Sequence, residues 1–256
     1  VIHYASHLTI DGTGLTNVIM DKIAEDRKDS LAAKQWIKIK GIMPAEKTFS
    51  CVVSSVQEHL GRYESEEMTT FFNKKRKIYF ENFADQKSVL FLKISDTDDT
   101  YYDLANIIYS QAIDSISAFA DQCPDGKCPI PVRFILDDFA TNAWIEGMPR
   151  IISTARARNI SFMLVCQSVQ QLRMGYHEDA QTIISNCDNL VFMGTNDVET
   201  AKEFSVRLDI PICDILSQKR GRIYIFRAGE KPIEDNRYDY RKHQSYKYLQ
   251  ESKNGR

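Results

Sequence analysis

Two adjacent aspartates, Asp137 and Asp138, follow the apolar run Val132–Leu136. Such a run is typical of a buried β-strand, and ligands bind beyond the carboxyl ends of strands in open parallel sheets. One carboxylate there can hold magnesium, while a second can polarise an attacking water. We therefore predict metal binding by Asp137 and water activation by Asp138. The pattern is also typical of a strand-to-turn exit with solvated carboxylates.

Polar residues also follow the next predicted strand along the chain. The apolar run Ile160–Cys166 leads into Gln167 and Ser168. A side-chain amide can donate and accept hydrogen bonds at once, which suits contact with a γ-phosphate or an attacking water. Gln167 is therefore a candidate catalytic residue and nucleotide sensor, and Ser168 is a candidate nucleotide-binding residue.

Two arginines stand between these runs. Arg156 and Arg158 close the segment Ser153–Arg158, near the end of a predicted helix. Arginines in that position can simply complement the helix dipole. They can also supply positive charge to a phosphoryl transition state in a neighbouring subunit of a ring. For that second role Arg156 is the first candidate and Arg158 is the second.

The sequence contains no Gly-x-x-x-x-Gly-Lys-Ser/Thr stretch, the loop whose backbone amides and lysine cradle phosphates. The nearest glycine cluster, Asp11–Gly14, has no such lysine and is typical of a turn. The first residue is Val1 rather than Met. We therefore expect either a longer protein with the loop before Val1 or a loss of catalysis.

Two basic stretches are candidates for nucleic-acid contact, because lysine and arginine grip phosphates while aromatic rings stack on bases. The first lies among phenylalanines and tyrosines and consists of Lys74, Lys75, Arg76 and Lys77. The second, weaker patch contains Lys219, Arg220 and Arg222. For the first stretch, a solvated basic turn between packed aromatics is the alternative.

Composition narrows the class of protein. With 256 residues, 43% hydrophobic and 27% charged, the chain can bury a sizeable core. Its formal charge of −2 means that nucleic-acid contact must come from local patches. The longest apolar runs are far below the roughly 20 residues of a membrane span. The pair Cys123 and Cys128 has no second ligand pair at zinc spacing, which favours an ordinary loop.

Hydrophobic periodicity divides the chain into three parts. From Leu15 to Arg62 the apolar positions recur every three or four residues, and residues 1–85 are therefore predicted to be part of an all-helical domain. Residues 86–233 alternate apolar runs with helix-period segments, which predicts an α/β domain with a mostly parallel sheet. Residues 234–256 are polar and predicted to form a surface tail. The predicted strands are Ser88–Ile94, Val132–Leu136, Ile160–Cys166, Leu190–Met193 and Ile223–Phe226.

The order of these segments resembles that of the type IV secretion coupling proteins, the TraG/TraD-like conjugation ATPases. The likeness covers nearly the whole chain from about Ser30, and its most specific segments are Phe134–Ala140, Ile152–Arg158, Gln167–Ser168, Ile184–Asp188 and Gly194–Thr200. The chain departs from the family at Asp138, where glutamate is usual. The shorter acid reaches about one methylene less toward the water and is expected to slow hydrolysis.

The resemblance implies a RecA-like, P-loop NTPase type of nucleotide domain with an inserted all-helical domain. It implies ATP and magnesium as cofactors, and a homo-hexamer that moves single-stranded DNA with its relaxase into the secretion channel. Relaxosome proteins and channel proteins are the implied partners. The intact protein is expected at the cytoplasmic face of the bacterial membrane, anchored by spans before Val1. These 256 residues are expected to be soluble and, without the phosphate-binding loop, inactive.

Two other classes of function remain open from the residues. The chain can be a non-catalytic docking module whose helical part binds a relaxosome protein while the α/β part is a scaffold. It can also be a metal-dependent nuclease that uses Asp137 and Asp138 near the basic patches. Nuclease sites usually gather three or more acids, and the sequence does not place a third.

Overall fold

The chain, represented by a computed structural model, is described at residues 7–9, 11–61, 63, 65–74, 77–95, 101–141 and 144–249. It divides into two compact units, Val1–Ile78 and Tyr79–Arg256. The first is helical, and the second contains all the described strands. The helices of the first unit and the strands of the second are described in turn below.

The helical unit contains α1 (Leu15–Asp26), α2 (Leu31–Ile42), α3 (Glu46–Gly61) and α4 (Glu66–Phe72). Ser30 begins α2, because its hydroxyl accepts a hydrogen bond from the Ala33 N–H at 3.1 Å. Pro44 stands between α2 and α3, where a residue without an N–H interrupts a helix. Local capping chemistry therefore sets the helix boundaries here.

Trp36 joins α1 to α2. Its side chain is 2% exposed, and its indole N–H donates a hydrogen bond to Asp21 Oδ1 at 2.7 Å. Lys40 Nζ lies 2.8 Å from the same oxygen. The hydrogen bonds from Lys40 and from Trp36 hold the pKa of Asp21 below its usual value. The buried Trp36 ring and its indole hydrogen bond thus hold α1 and α2 together.

Replacing Trp36 with alanine is expected to lower the free energy of unfolding of the helical unit by about 3–5 kcal/mol, because a buried ring leaves a cavity. Urea unfolding followed by circular dichroism measures the change. The matched control is Ile37→Ala, since Ile37 is next along the same helix and 62% exposed. Equal losses from the two variants would contradict the packing described for Trp36.

The α/β unit begins with a parallel strand pair and its helices. These elements are α5 (Asn82–Asp85), α6 (Tyr102–Gln122), β1 (Val132–Leu136), α7 (Met148–Ala155), β2 (Ile160–Leu164), α8 (Val169–Tyr176) and α9 (Asp179–Ser185). β1 and β2 pair with Val132 opposite Ile160 and Leu136 opposite Leu164. The carboxyl ends of both strands therefore lie at the same edge, as the sequence predicts.

A second sheet follows, formed by β3 (Asn189–Phe192), β4 (Arg222–Arg227) and β5 (Ile233–Asn236). Between β3 and β4 lie α10 (Val198–Leu208) and α11 (Ile212–Leu216). All three strands are antiparallel to their neighbours. Gly229, with a φ of +80°, lies in the β4–β5 turn, a backbone region that favours glycine. The expected parallel arrangement thus holds for β1 and β2 alone among the described strands.

Apolar side chains pack on one face of the parallel pair. Ile116 and Ala120 of α6 lie with Ala155 and Ile160 in one buried cluster. A second cluster surrounds Phe139, just beyond the end of β1. Helices thus cover this face of β1 and β2, whereas the side chains on the other face are largely exposed. The covered face holds the carboxyl edge in place, because a close-packed interior permits little movement.

The predicted strand Ser88–Ile94 is wrong, because residues 87–95 form no strand in the structure. Phe91 is 90% exposed there. A strand needs a neighbour for its backbone hydrogen bonds, and an apolar run does not say whether one is present. Within the described residues no strand pairs with this run.

Two predicted boundaries also differ from the structure. The units divide after Ile78, whereas the predicted helical part extends to residue 85. Ala84 of α5 is buried against α6, which places it with the α/β unit. At the other end, the predicted tail from residue 234 begins inside β5, where Glu234 lies opposite Tyr224. Because the residues of β5 are exposed and mostly polar, a hydropathy pattern does not reveal this edge strand.

Candidate active site

The side chains of Asp138 and Gln167 meet at the carboxyl edge of β1 and β2. Gln167 Nε2 donates a hydrogen bond to Asp138 Oδ1 at 3.1 Å. Asp138 follows β1 by two residues, and Gln167 follows β2 by three. The parallel register therefore brings together two side chains that are 29 positions apart. The predicted juxtaposition of acid and amide is present.

The turn after β1 has an unusual backbone. Asp138 and Ala140 have φ values of +49° and +71°, a region that alanine rarely adopts. Phe139 between them is fully buried, and its N–H donates to Val165 O at 2.8 Å. Its ring stacks on Tyr176 with centroids 5.4 Å apart. The buried ring holds the strained turn and so presents the Asp138 carboxylate at the edge.

Asp137 is the more exposed of the two acids. Its Oδ1 accepts a hydrogen bond from the Asp138 N–H at 3.2 Å. Magnesium is usually held in nucleotide sites by one or two carboxylates together with phosphates and waters. An exposed carboxylate beside a second acid is a donor set that fits magnesium. Asp137 can hold the metal while Asp138 remains directed at Gln167.

Gln167 is held from its other side by Gln171. Gln171 Nε2 donates to Gln167 Oε1 at 3.4 Å. Ser168 begins α8, since its hydroxyl accepts a hydrogen bond from the Gln171 N–H at 3.1 Å. Ser168 thus has a structural partner, and its hydroxyl hydrogen is still available to a ligand. Sequence reasoning missed Gln171, whose only signal is its position four residues after Gln167.

Thr200, a buried residue of α10, supports the segment that joins β2 to α8. We name its contacts the Thr200 brace. The Val169 N–H donates to Thr200 Oγ1 at 3.2 Å, and Thr200 Oγ1 donates to Asp197 Oδ2 at 2.5 Å. Asp197 also begins α10 by accepting from the Thr200 N–H. The Thr200 side-chain and backbone hydrogen bonds lower the pKa of Asp197. In the sequence, Thr200 lies in the segment Gly194–Thr200, which resembles the family. The residue types in that segment do not by themselves indicate that Thr200 supports the site.

Thr200→Val is expected to lower the free energy of unfolding of the α/β unit by about 1–3 kcal/mol. Valine has nearly the same shape, yet it leaves the Val169 N–H without its partner at a position where Thr200 is 3% exposed. Urea denaturation measures the change. Thr182→Val on the exposed side of α9 is the control, with an expected change near zero. A Thr200→Val variant as stable as that control would contradict the brace.

The two candidate arginines lie at the opposite end of β2. Arg156 Nη1 is 3.7 Å from Asp188 Oδ2, and its side chain is 89% exposed. Arg158 instead forms two hydrogen bonds with Asp121, at 2.8 and 3.2 Å. These hydrogen bonds are the main reason that the pKa of Arg158 is raised. Arg156 has the available guanidinium, and neither arginine approaches Asp138 of its own chain.

Cys166 is partly buried beside the edge formed by Asp137, Asp138 and Gln167, which we name the acid edge. Burial, with smaller contributions from Cys187 and Asp138, raises the pKa of the Cys166 thiol to about 11. The thiol is therefore protonated at neutral pH, so it is not a nucleophile there. It packs as a small apolar side chain against the Phe139 cluster.

The remaining candidates are basic residues outside β1, β2 and the turns that follow them. Lys74 and Lys77 are exposed, while Lys75 and Arg76 lie outside the described residues. Lys219 and Arg220 are exposed at the start of β4. Over the described ranges, no group of three or more His, Cys, Asp or Glu side chains is placed to hold a metal, so a nuclease-type acid cluster is not found there.

Comparison with known families supports the motif order. Residues 131–208 match a family described as the TraM recognition site of TraD and TraG. The matched segment contains the acid edge, both arginines and the Thr200 brace. Among curated proteins, none matches the chain.

Three solved structures share the fold. One is plasmid coupling protein TrwB in complex with the non-hydrolysable ATP analogue ADPNP, with TM-score 0.67, 14% identity, and coverage of 93% of this chain and 56% of that one. TrwB with the GTP analogue GDPNP has TM-score 0.60, 15% identity, and coverage of 75% and 50%. Unbound TrwBdeltaN70, a bacterial conjugative coupling protein, has TM-score 0.59, 14% identity, and the same coverage. The chain therefore spans about half the length of the structures it matches, and the RecA-like α/β fold is confirmed.

A helix must be both long and apolar to cross a bilayer. Among the helices of the described residues, none meets both requirements for crossing a membrane.

Proposed function

We propose that this chain, in which residues 131–208 match the family described as the TraM recognition site of TraD and TraG, is the motor portion of a conjugative type IV secretion coupling protein. Its task is to use ATP to move single-stranded DNA and the attached relaxase into the secretion channel. The observation that carries the proposal is the 3.1 Å hydrogen bond between Gln167 and Asp138 at the strand edge.

Each residue at this edge has one task. ATP with its magnesium supplies the phosphoanhydride bond and the charge neutralisation that phosphoryl transfer needs. Asp137 holds the metal through its exposed carboxylate. Asp138 orients the attacking water and accepts its proton, while Gln167 fixes the Asp138 carboxylate and contacts the phosphate or the water. Ser168 adds a hydroxyl at the start of α8.

These 256 residues contain no phosphate-binding loop of the Gly-x-x-x-x-Gly-Lys-Ser/Thr type. The proposal therefore concerns a protein in which this chain meets such a loop. In that protein the ring is a homo-hexamer, the partners are relaxosome and channel proteins, and the location is the cytoplasmic face of the membrane. These assignments follow from the family.

The test is ATP hydrolysis by the longest product of the gene that encodes this chain, with and without single-stranded DNA. We expect single-stranded DNA to increase kcat. Double-stranded DNA of the same sequence is the control and is expected to increase it less. A rate that is the same with and without either DNA would contradict the motor assignment.

A second function is favoured by the description of the matched family. That family is named for recognition of TraM, so residues 131–208 are candidates for docking a relaxosome protein without catalysis. Pull-down of purified TraM-like protein by the 256-residue chain, without ATP, would support docking. Binding that requires ATP in the longer protein, and is absent from this chain, would contradict it.

A further inference from the structure

A basic cavity lies where β3 ends, β4 begins and β5 ends. Its volume is about 690 Å³. The residues that give it its chemistry are Arg220, Arg222, Arg237, Tyr238, Tyr240 and Arg241, and we name it the arginine pocket. Strand register forms it, because Arg222 lies opposite Asn236 and the Arg237 N–H donates to Gly221 O at 2.6 Å. Two distant basic stretches thus become one surface.

The arginine pocket carries excess positive charge. Four arginines against Asp239 leave a net charge of +3 on the lining, or +2 when Glu234, the partner of Arg222, is included. Arg241 is paired with Asp239 at 2.9 Å. In the part of the chain that the structure describes, Arg220 and Arg237 form no ion pair. Their guanidiniums are therefore available to an anion.

Two tyrosines stand beside these guanidiniums. The side chains of Tyr238 and Tyr240 are 61% and 58% exposed. Tyr240 is steadied by an edge-on contact with Tyr246, with ring centroids 5.5 Å apart. Exposed rings next to arginines offer flat surfaces on which unpaired bases stack while guanidiniums bind the phosphates. An acidic peptide would bind the guanidiniums without the rings, and duplex bases are not free to stack on them.

We propose that the arginine pocket binds single-stranded nucleic acid, with Arg220 and Arg237 on successive phosphates and Tyr238 stacked on a base. The identification of that strand as the transported DNA rests on the proposed function. Binding itself requires neither ATP nor the acid edge. Apart from the end of β3, the pocket is lined by residues 220–223 and 237–241, which lie outside the 131–208 match.

The experiment is fluorescence anisotropy of labelled oligothymidylate with the 256-residue chain and with the Arg220→Ala/Arg237→Ala variant. We expect the variant to bind about tenfold more weakly or worse. The salt dependence of log K should also become shallower by about 0.7 for each phosphate that the variant no longer binds. The control is Arg227→Ala/Lys231→Ala, which removes the same charge at the opposite end of the β4–β5 hairpin. It should bind as the parent chain does.

Tyr238 is tested with two variants in the same assay. Tyr238→Phe should retain the affinity, whereas Tyr238→Ala should bind about 5- to 150-fold more weakly, because stacking needs the ring and not the hydroxyl. Equal affinity for Tyr238→Ala and Tyr238→Phe would overturn the stacking of the ring on a base. Unchanged circular dichroism spectra confirm that the variants fold.

Several outcomes would overturn the proposal. These are parent-like binding by Arg220→Ala/Arg237→Ala, an equal weakening in the control, or displacement of the oligonucleotide by polyglutamate or ATP at matched charge. The motor assignment fails separately. If binding depends on the arginines but single-stranded DNA does not stimulate hydrolysis, nucleic-acid binding by the arginine pocket is supported and the motor assignment is contradicted. If stimulation persists in an arginine variant that no longer binds the oligonucleotide, the motor assignment is supported, and the strand bound in the pocket is not the transported DNA.

Discussion

Asp138→Asn is expected to reduce kcat for ATP hydrolysis by about 10²–10⁴-fold in the protein that joins this chain to a phosphate-binding loop. An amide cannot accept the proton of the attacking water, although its oxygen can still accept the Gln167 hydrogen bond. KM for ATP should change little, because Asp137 and not Asp138 is the proposed metal ligand. Steady-state phosphate release measures both constants.

Two further variants sharpen this experiment. Asp114→Asn on the exposed side of α6 removes the same charge away from the site and should leave kcat unchanged. Asp138→Glu gives the acid that is usual in the resembled family and should raise kcat, because the longer side chain brings the carboxylate closer to the water. An Asp138→Asn variant that retains most of its kcat would remove Asp138 from the mechanism.

Arg156→Ala is expected to reduce kcat by about 10³-fold or more, as removal of a transition-state arginine does. Arg156 precedes β2 and Gln167 follows it, so at least about 17 Å of strand separates Arg156 from the acid edge of its own chain. If Arg156 has the proposed catalytic role, its guanidinium must therefore serve the site of a neighbouring subunit. Because Arg156 is 89% exposed, the variant should fold as stably as the parent protein.

Arg158→Ala is the matched control for Arg156→Ala. It removes an equal charge two residues away, but it breaks the hydrogen bonds to Asp121. We expect the free energy of unfolding to fall by about 1 kcal/mol, since the pair is partly exposed, with little change in kcat. If Arg158→Ala lowers kcat and Arg156→Ala does not, the order of the two candidates is reversed.

Subunit mixing tests action across an interface directly. Arg156→Ala subunits retain Asp138, and Asp138→Asn subunits retain Arg156. When the two inactive proteins are mixed and reassembled, interfaces that join an intact Asp138 to an intact Arg156 should recover hydrolysis. No recovery in rings shown to contain both subunits would contradict action in trans.

The arginine pocket and the acid edge differ in how visible they are in the sequence. Asp137, Asp138 and Gln167 are found at the ends of apolar runs, because a buried strand that stops at a polar residue is a local pattern. The sequence predicted only one half of the arginine pocket, as the weaker basic patch that includes Arg220. Its other half lies in the predicted tail, since an exposed edge strand has no hydrophobic alternation to reveal it.

Local residue patterns were sufficient for several features of this chain. Ser30 and Ser168 begin helices, β1 and β2 occupy the predicted runs, and the acids stand where β1 ends. The helix starts depend on one side chain and its near neighbours, so the amino-acid order determines them. The order also marks the two apolar runs and their polar ends, although each run forms a strand only because it pairs with the other.

Only the tertiary structure decided which distant groups meet. Strand pairing brought Gln167 to Asp138, placed Arg156 at the far end of β2, and gathered Arg220 with Arg237. Packing brought Thr200 to the loop before α8. The run Ser88–Ile94 shows the converse, because no neighbouring strand pairs with it in the described residues. Each of these outcomes depends on contacts between segments far apart in the chain, which no window of sequence contains.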